Sequence, residues 1–348
     1  MAKAFRELAL IDQIRAAQPL GMRRAGKRPG ANPGGLVLGI GDDCAILRPP
    51  RGHEVLVTTD FSLEGRHFLR SLHPPESVGH RVLARGLSDL AAMGARPLAA
   101  FLSLALPADL VTDRKGRAWI ARFFSGFNAL AQANSVPLAG GDTSESPSDH
   151  IVADIVLLGS APAGRALRRS TARPGDALYV TGYLGGSGTE FALLKGRGKL
   201  SSTRFAPKTL DPIPHPHLYP QPRLAVGQTL LRRGLATACI DLSDGLSTDL
   251  AHLCHESHLG ADINAVALPI HPLAARADDP LTCALHGGED YELLFAAPPS
   301  ARIPRSIAGV RITRIGTLTR RKAITIVDPG GKRKPLISAG WQHFASRP

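Results

Sequence analysis

Short apolar runs alternate along this chain with longer amphipathic segments, and the alternation is completed twice. The first cycle runs from a strand predicted at 36–40 to a strand predicted at 151–159, and the second begins with a strand predicted at 177–181. Residues 165–176 have the composition of a connector between them. Two such cycles predict an α/β (α+β) fold with two α/β domains, and 348 residues provide enough chain for both.

The domain organisation predicted from this pattern has three parts. Residues 1–35 are expected to form a short helix and a basic, mobile loop, residues 36–164 an N-terminal domain and residues 165–348 a C-terminal domain. Apolar side chains at helical spacing, with Gly94 directly after the last of them, predict a helix over residues 75–93. The other predicted helices cover residues 113–134 and 223–233, and the other predicted strands cover residues 54–59, 98–106, 136–139, 238–240, 291–297, 312–318 and 323–327.

The formal net charge of +13 would suit a nucleic-acid-binding protein, but its distribution along the chain argues against that class. Residues 1–30 carry a net charge of +5 and residues 301–348 a net charge of +10, which leaves −2 for the rest of the chain. A nucleic-acid-binding face would concentrate basic residues on the folded domains rather than at the two ends. We therefore expect most of the basic excess to lie in solvated termini and edge strands.

The sequence has no feature of a membrane or secreted protein. No apolar run approaches the ~20 residues that span a bilayer, and residues 1–20 lack the apolar core and cleavage site of a secretory signal. The four cysteines (Cys44, Cys239, Cys254 and Cys283) show no CxxC or zinc spacing and are expected to be buried free thiols. These features predict a cytoplasmic protein.

One apolar run, Ala238 to Ile240, leads directly into a group of acidic and hydroxyl side chains. Ser243 is predicted to cap the helix that follows, so Asp241 and Asp244 should lie where a strand meets a helix N-terminus. Backbone N–H groups at such a terminus suit an oxyanion, and a carboxylate pair beside them suits a hard cation. The same residues also fit an ordinary helix cap with aspartate in its first turn.

Aspartates recur where the predicted strands end. The set consists of Asp43, Asp60, Asp142 and Asp241, joined by Asp89 on a helix and by Asp244. Ligands bind at strand ends in α/β folds, and six converging carboxylates would repel one another unless divalent cations lay among them. Oxygen ligands without Cys or His favour Mg²⁺, usually together with phosphates. Taken singly, each aspartate also fits a local role, either in a turn or, for Asp89, as a partner of Arg85.

The glycine-rich loop Gly182–Gly188 follows a predicted strand and precedes a helix, which is a suitable place to hold a phosphate. It lacks both the GK[ST] ending of a Walker A loop and the GxGxxG spacing of a dinucleotide site. Any nucleotide chemistry of this chain is therefore expected to depend on metal ions rather than on a P-loop lysine.

Six short motifs resemble those of the thiamine-monophosphate kinases, in that family's order and spacing. The motifs are Gly39-Ile-Gly-Asp-Asp-Cys-Ala45, Thr58-Thr-Asp60, Leu87-Ser-Asp-Leu-Ala-Ala-Met-Gly94, Gly140-Gly-Asp-Thr143, Ile240-Asp-Leu-Ser-Asp-Gly-Leu246 and Gly287-Gly-Glu-Asp-Tyr-Glu-Leu293. The resemblance extends from Leu36 to the Gly340-Trp-Gln-His-Phe344 ending, and the Arg-rich residues 21–35 have no counterpart in it. Single motifs such as Gly-Gly-Asp are shared with aminoimidazole-ribonucleotide synthetase, selenophosphate synthetase and hydrogenase-maturation proteins.

The resemblance implies two domains of the aminoimidazole-ribonucleotide synthetase-like type, with the N-terminal sheets pairing in a homodimer. The N-terminal domain would bind metal and ATP, and the C-terminal domain would bind ATP and substrate. The implied reaction is the ATP-dependent phosphorylation of thiamine monophosphate to thiamine diphosphate, the last step of thiamine diphosphate biosynthesis. Transfer would be direct, in-line and assisted by Mg²⁺, without a covalent intermediate.

The resemblance also implies roles for individual residues. Several Mg²⁺ ions would be held by Asp43, Thr58, Thr59, Asp60, Asp89, Asp142, Asp241 and Asp244. ATP as co-substrate would contact Gly141, Asp142, Arg169 and Ser243. Thiamine monophosphate would contact His67, Glu289 and Trp341. The fork of Arg169 suits a phosphate, and the face of Trp341 suits a cationic thiazolium ring. His67 also fits a solvated turn residue, and Trp341 an aromatic at the edge of the core. Thr58 stands where the family often has Ser, and Trp341 where smaller aromatics also occur.

Two other functions stay open at this point. Another ATP-using enzyme of the same superfamily, similar to aminoimidazole-ribonucleotide or selenophosphate synthetase, would share many of the motifs. A selenophosphate synthetase would be expected to carry a reactive Cys or Sec near its N-terminus, and residues 1–35 contain no Cys. A basic, non-catalytic nucleic-acid-binding protein would bind DNA or RNA with steep salt dependence and without regard to Mg²⁺ or ATP.

Overall fold

The computed structural model of the protein describes residues 9–12, 14, 35–197, 212–328 and 330–341. These residues form two compact units, which we treat separately. Residues up to Leu90 and Arg96–Gly164 belong to the first unit, whereas Ala91–Ala95, Arg165–Arg197 and the described residues from 212 onwards belong to the second. None of the described helices is both long and apolar enough to cross a bilayer.

From residue 35 onwards, the first unit combines a two-stranded sheet, a four-stranded sheet and three helices. Its elements are β1 (Leu36–Leu38), β2 (Ile46–Leu47), β3 (His53–Leu63), α1 (Pro75–Ala92), β4 (Arg96–Leu106), α2 (Ala108–Thr112), α3 (Arg114–Ala133), β5 (Leu138–Glu145) and β6 (Val152–Pro162). β1 pairs with β2, and the larger sheet has the order β3-β6-β4-β5. β4 and β5 are parallel, whereas β6 is antiparallel to both β3 and β4.

Helix α1 packs closely on the four-stranded sheet and on α3. A Cβ on Gly86 would lie 2.7 Å from the side chain of Leu157 on β6. A Cβ on Gly79 would lie 1.9 Å from the carbonyl oxygen of Phe123 on α3. Glycine at these two positions therefore allows α1 to approach both layers, and the approach brings the polar side chains of its last turns against β3.

The second unit is built on an eight-stranded sheet. Its elements are β7 (Ala177–Thr181), α4 (Gly186–Arg197), α5 (Leu224–Arg232), β8 (Ala238–Leu242), α6 (Leu246–Glu256), β9 (Gly260–Asn264), α7 (Pro280–His286), β10 (Glu292–Ala297), β11 (Ser306–Ile307), β12 (Val310–Thr319), β13 (Ile324–Val327) and β14 (Arg333–Pro335), with 3₁₀ turns at Arg169–Thr171, Ala265–Ala267 and Ala274–Arg276. The sheet order is β14-β13-β9-β12-β7-β10-β8, with β11 beside β12. β9 and β13 are parallel, and the other pairs are antiparallel. Buried apolar residues of β7, β8, α6 and β10 form the core.

The predicted fold class of two mixed α/β domains is confirmed, and each helix and strand predicted from residue 75 onwards overlaps an observed one. The sequence pattern did not reveal β9 or α7. β9 starts at Gly260, whose Cβ would lie 2.0 Å from the carbonyl oxygen of Arg321, so close packing requires a residue that is untypical of strands. Of the expected N-terminal helix, residues 9–12 and 14 are described and helical. The loop expected at 21–34 and residues 198–211 lie outside the described residues.

The expectation that strands end at Asp60 and Asp142 is wrong. β3 continues to Leu63 and β5 continues to Glu145, so both aspartates lie inside strands. Hydrogen-bonded pairing with β6 and β4 extends these strands through polar residues that would otherwise favour a turn. The argument from strand ends also assumed parallel sheets, whereas most pairs here are antiparallel. The aspartates are therefore presented from within the sheet rather than from its end.

The cysteines are free, but their burial differs from the expectation. Cys239 and Cys254 are buried, whereas Cys283 is half-buried and Cys44 is exposed. Burial raises the pKa of both core thiols, to about 12 for Cys254, so these two thiols stay protonated and inert.

Candidate active site

A first group of predicted site residues lies where α1 meets β3. The Thr58 hydroxyl donates to the Asp89 carboxylate, and the Arg85 guanidinium donates to Asp60 Oδ1 at 3.2 Å. The Asp60 and Asp89 side chains are close enough to interact. Thr58 and Asp60 alternate onto the same face of β3, which explains why both meet α1. Arg85 thus pairs with the aspartate on the strand.

The electrostatics of this group favour a bound cation. Burial raises the pKa of Asp60, with Arg85 opposing the rise and the Asp154 carboxylate adding to it. Asp154 lies on β6 and accepts a hydrogen bond from the Thr59 hydroxyl at 2.8 Å. Sequence reasoning missed Asp154, because only the pairing of β3 with β6 places it beside the Thr58–Asp60 motif. The carboxylates outnumber the arginine in this group, and a divalent cation would relieve their repulsion.

Asp43 and Asp142 line a common cavity of about 860 Å³ in the first unit. Gly141 has φ +149°, and a Cβ there would lie 1.8 Å from the carbonyl oxygen of Leu102, so β5 approaches β4 where a side chain would not fit. Asp142 Oδ1 accepts the N–H of Thr143 at 2.9 Å. This local bond lies within β5 and is not the turn considered for Asp142, and the carboxylate has further lone pairs to offer a ligand.

His67 follows β3 and is held by hydrogen bonds. The N–H of Leu63 donates to His67 Nδ1 at 2.9 Å, and the Arg81 guanidinium donates to the His67 carbonyl at 3.2 Å. Because Nδ1 accepts, the neutral ring carries its proton on Nε2. His67 does lie in a turn, and its ring is half-buried and oriented by these hydrogen bonds.

In the second unit, the turn after β8 holds distant predicted residues in place. The amides of Tyr291, Glu289 and Trp341 donate to the carbonyls of residues 242, 243 and 244, at 2.8, 2.7 and 3.0 Å respectively. Glu289 has φ +65° and Tyr291 has φ +51°, a left-handed conformation that is costly for residues with a side chain. These bonds stabilise the strained backbone and bring Glu289 and Trp341 to the same turn.

Ser243 is not the helix cap that the sequence predicted. α6 begins at Leu246, and Gly245 occupies the N-cap position with φ +104°. Asp249, in the first turn of α6, accepts the N–H groups of Asp244 and Gly245 at 3.1 Å each. The capping acceptor thus comes from inside the helix, and capping does not occupy the Ser243 hydroxyl.

Asp249 is a member of this acidic group that sequence reasoning missed. Burial raises its pKa to about 8, and the carboxylates of Asp241 and Asp244 add to the rise. Asp241 is buried, and Arg169 is close enough for its charge to act on the neighbouring thiol of Cys239. Like charges so close together favour a cation among them. A first-turn aspartate is so common in helices that nothing in the sequence distinguished Asp249.

The donor chemistry of these groups fits Mg²⁺. Their donor atoms are carboxylate and hydroxyl oxygens, which magnesium prefers. Burial raises the pKa of both Asp60 and Asp249, and neighbouring carboxylates add to each rise. Over the described ranges, no three His, Cys, Asp or Glu side chains gather closely enough to hold a metal ion by themselves. Magnesium commonly completes its shell with waters and substrate phosphates, so a closed protein cage is not required.

The glycine-rich loop 182–188 holds an internal carboxylate. Asp290 accepts the N–H groups of Gly185 at 2.7 Å and Ser187 at 3.1 Å, and a further one from Gly186. Asp290 is buried, so a phosphate could not reach these amides without displacing it. The expectation that this loop suits a phosphate is therefore wrong, since its amides already bind an anion supplied by the chain.

The chain matches two family models over most of its length. Residues 41–161 match the N-terminal domain of AIR synthase related proteins, and residues 173–329 match the C-terminal domain. It is 39% identical over 316 residues to the thiamine-monophosphate kinase of Escherichia coli (strain K12), covering 89% of this chain and 92% of that one. The chain belongs to the thiamine-monophosphate kinase family. The thiamine-monophosphate kinase of Salmonella typhimurium is 40% identical over 318 residues, covering 88% of this chain and 92% of that one.

Solved structures of the thiamine-monophosphate kinase family share this fold. The crystal structure of the enzyme from Stenotrophomonas maltophilia K279a matches with a TM-score of 0.74 and 34% identity, covering 91% of this chain and 95% of that one. AaThiL complexed with AMPPCP and TMP matches with a TM-score of 0.71 and 30% identity, covering 85% of this chain and 89% of that one.

Proposed function

We propose that this protein transfers the terminal phosphate of ATP to thiamine monophosphate, giving thiamine diphosphate and ADP. The observation that carries the proposal is the 39% identity with the Escherichia coli kinase along 89% of this chain. It is supported by the likeness to AaThiL, which was solved in complex with AMPPCP and TMP. Oxygen-rich groups of carboxylates and a negatively charged pair of co-substrates make metal-assisted phosphoryl transfer the chemistry that fits this site best.

Three groups of residues would hold Mg²⁺. The proposed ligands are Thr58, Thr59, Asp60 and Asp89 around α1 and β3, Asp43 and Asp142 on the cavity, and Asp241 in β8 with Asp244 just after it. Bound Mg²⁺ would neutralise the phosphate oxygens and orient them for in-line transfer. The hydrogen bonds of Thr58 and Thr59 to acidic neighbours fix the carboxylate rotamers, so these residues have a supporting role even where a water completes the metal shell.

The proposed nucleotide contacts are Gly141, Asp142, Arg169 and Ser243. Gly141 lines the cavity and has no side chain, so its backbone is the surface that faces a ligand there. Arg169 is exposed, and its position is fixed by the Ser257 hydroxyl, which donates to the Arg169 carbonyl at 2.6 Å. A planar guanidinium in that position suits two phosphate oxygens at once. The Ser243 hydroxyl is not used in capping α6 and is left to donate to a phosphate.

The proposed contacts to thiamine monophosphate are His67, Glu289 and Trp341. The Nε2 proton of His67 suits a phosphate oxygen of the substrate. The carboxylate of Glu289 suits the amino group of the pyrimidine or the cationic thiazolium, and the 45% exposed face of Trp341 suits the same ring system. No side chain needs to form a covalent intermediate, because these residues only bind and orient the acceptor phosphate.

We propose that the protein is a homodimer formed through the first unit. Val55, Val57 and Phe61 alternate along one face of β3 and are 45%, 66% and 58% exposed. A row of exposed apolar side chains on a sheet suits a second copy of the same surface. Light scattering coupled to size-exclusion chromatography is expected to give twice the chain mass, and V57E is expected to give the monomer mass. A wild-type protein of monomer mass would contradict the dimer.

The division of labour between the units is also a proposal. The first unit would supply metal, ATP and dimer contacts, and the second would supply ATP and substrate contacts. The proposed compartment is the cytoplasm, where free thiols such as those of Cys44 and Cys283 remain reduced.

An ADP-release assay with three acceptors side by side tests the function. Thiamine monophosphate, thiamine and an aminoimidazole ribonucleotide precursor are offered with ATP and Mg²⁺. Release that depends on thiamine monophosphate alone supports the proposal. Release that depends on the aminoimidazole precursor would assign the chain to another activity of the superfamily, and binding of DNA without any release would favour the basic-protein alternative.

A further inference from the structure

A buried histidine lies behind the Glu289 carboxylate in the second unit. His217 Nδ1 is 3.5 Å from Glu289 Oε2 and 3.1 Å from the hydroxyl oxygen of Ser187. The His217 side chain is 1% exposed, whereas 26% of the Glu289 side chain is exposed. The carboxylate therefore has a solvent-accessible part, where a substrate can reach it, and a buried neighbour that can hold it still.

Helix α4 fixes the His217 ring in place. The ring stacks on Phe191 with centroids 4.7 Å apart, and the His217 N–H donates to Glu190 Oε2 at 2.7 Å. Ser187 lies on the same helix. Helix α4 therefore contacts the face of the His217 ring, the His217 backbone amide and Nδ1. Because of these contacts the ring cannot rotate to follow a change in the Glu289 rotamer. The Glu289 carboxylate must instead adapt to the fixed ring.

The backbone of Glu289 is fixed to the same frame. Its N–H donates to the Ser243 carbonyl at 2.7 Å, and the next residue, Asp290, accepts the N–H of Ser187 at 3.1 Å. Ser187 thus joins both sides, with its amide on Asp290 and its hydroxyl on His217. The Glu289 backbone is thus held in place, and Nδ1 of His217 lies beside its carboxylate.

Charge makes the contact attractive. A lone pair on Nδ1 would face the negative carboxylate of Glu289, so the ring is favoured with a proton on Nδ1, and the Ser187 hydroxyl oxygen 3.1 Å away then accepts rather than donates. At 3.5 Å the contact with the carboxylate is longer than an ordinary hydrogen bond, and burial of the ring strengthens its electrostatic attraction. The interaction therefore favours one orientation of the Glu289 carboxylate over its alternatives.

We propose that His217 is a positioning residue for thiamine monophosphate, acting through Glu289. The inference rests on the proposed function, which makes Glu289 a contact of the substrate. His217 holds the carboxylate in its binding orientation before the substrate arrives, so that little freedom is lost on binding. Loss of His217 therefore weakens the binding of thiamine monophosphate and leaves the binding of ATP unchanged.

Three variants test the proposal by steady-state kinetics with each co-substrate varied in turn. H217L keeps an apolar side chain against Phe191 and removes Nδ1. It is expected to raise KM for thiamine monophosphate about tenfold, the effect of losing one polar contact to a charged group. KM for ATP is expected to stay within about twofold. H217N can present an amide N–H near the place of Nδ1 and is expected to recover most of the loss. H271L is the matched control, because His271 is also buried but bonds to the Ile213 carbonyl; it is expected to lower stability without changing either KM.

A double-mutant cycle with E289Q separates positioning from general damage. If His217 acts through Glu289, adding H217L to E289Q raises KM for thiamine monophosphate by less than about twofold further. Full additivity, or equal increases in KM for both co-substrates, would overturn the proposal. If H217L does not fold, S187A replaces it in the test, because S187A removes the hydroxyl beside Nδ1 of His217. A two- to fivefold rise in KM for thiamine monophosphate then supports the proposal. An unchanged KM for thiamine monophosphate overturns it. Wild-type enzyme without activity on thiamine monophosphate would instead refute the proposed function.

Discussion

Replacing Asp290 by Ala removes the carboxylate that holds the glycine-rich loop. Its oxygens accept the N–H of Gly185 at 2.7 Å and the N–H of Ser187 at 3.1 Å, in a buried environment. A buried amide without an acceptor costs about 1–3 kcal/mol. Because two amides lose their acceptor, D290A is expected to lower the free energy of unfolding of the second unit by about 2–6 kcal/mol. This range applies to conditions in which the wild-type Asp290 carboxyl is protonated and carries no buried charge.

The cost of D290A depends on pH. Burial raises the pKa of Asp290 to about 7, above the value of about 3.9 in an unfolded chain. The folded protein therefore keeps a proton that the unfolded chain loses, and the wild type loses stability as pH rises from about 4 to about 7. D290A has no such proton. At about 1.4 kcal/mol for each pKa unit, the destabilisation should be about 2–3 kcal/mol larger at pH 5 than at pH 8.

Urea unfolding at pH 5 and pH 8, followed by circular dichroism, measures both quantities. D290N is the first control: its amide keeps one acceptor oxygen and cannot titrate, so it should lose less stability than D290A and show the same change in pH dependence. G188A is the second control, because a Cβ on Gly188 meets its nearest atom at an ordinary 3.5 Å. G188A should leave both stability and KM for ATP near wild type. If the loop held a phosphate of ATP, G188A would instead raise KM for ATP.

A D290A protein as stable as wild type at pH 5, or equally destabilised at both pH values, would refute this account of the loop.

Three further variants test other parts of the structure. D142N should abolish turnover and shift the melting temperature by less than about 2 °C, because Asp142 is exposed and accepts a hydrogen bond from the neighbouring amide of Thr143. Wild-type activity would remove Asp142 from the site. In scanning fluorimetry, ATP and Mg²⁺ together should raise the melting temperature by more than the sum of their separate effects, and D241N should reduce this excess. An excess that is unchanged in D241N would leave Asp241 a purely structural role. R223M should destabilise the protein by about 3–5 kcal/mol in chemical unfolding, because it breaks the buried ion pair with Glu292, whereas replacing both partners by apolar residues should cost less.

The sequence was sufficient to propose most residues of the candidate site. It was not sufficient to explain which elements bring those residues together. The Thr58–Asp60 motif and Asp89 do meet, yet they meet because α1 packs on β3 and not because a strand ends at Asp60. The length of β3 is set by pairing with β6, a contact between residues far apart in the chain. A local pattern carries no information about such pairing.

Two acidic residues were missed for the same reason. Asp154 becomes part of the site only through its register opposite β3. Asp249 becomes part of it because α6 begins at Leu246, later than Ser243 indicated, so that an acid from inside the helix caps the turn. Neither residue belongs to a motif, and each is of a type that is common in its local position.

The glycine-rich loop shows where a local pattern misleads. Glycines between a strand and a helix are typical of a phosphate-binding loop, and backbone amides that suit an anion are present here. Their anion is Asp290, which follows Gly185 by 105 residues. Sequence reasoning recognised the preference of the amides for an anion and could not identify which anion meets them.

The central claim is that the terminal phosphate of ATP is transferred directly to thiamine monophosphate. A single-turnover reaction with ATP labelled in its γ-phosphate, stopped with acid and separated by chromatography, follows the label. The account predicts that label leaves ATP and enters thiamine diphosphate at the same rate, with none bound to the protein at any time. Label that appears only in inorganic phosphate, or that passes through the protein first, would contradict it.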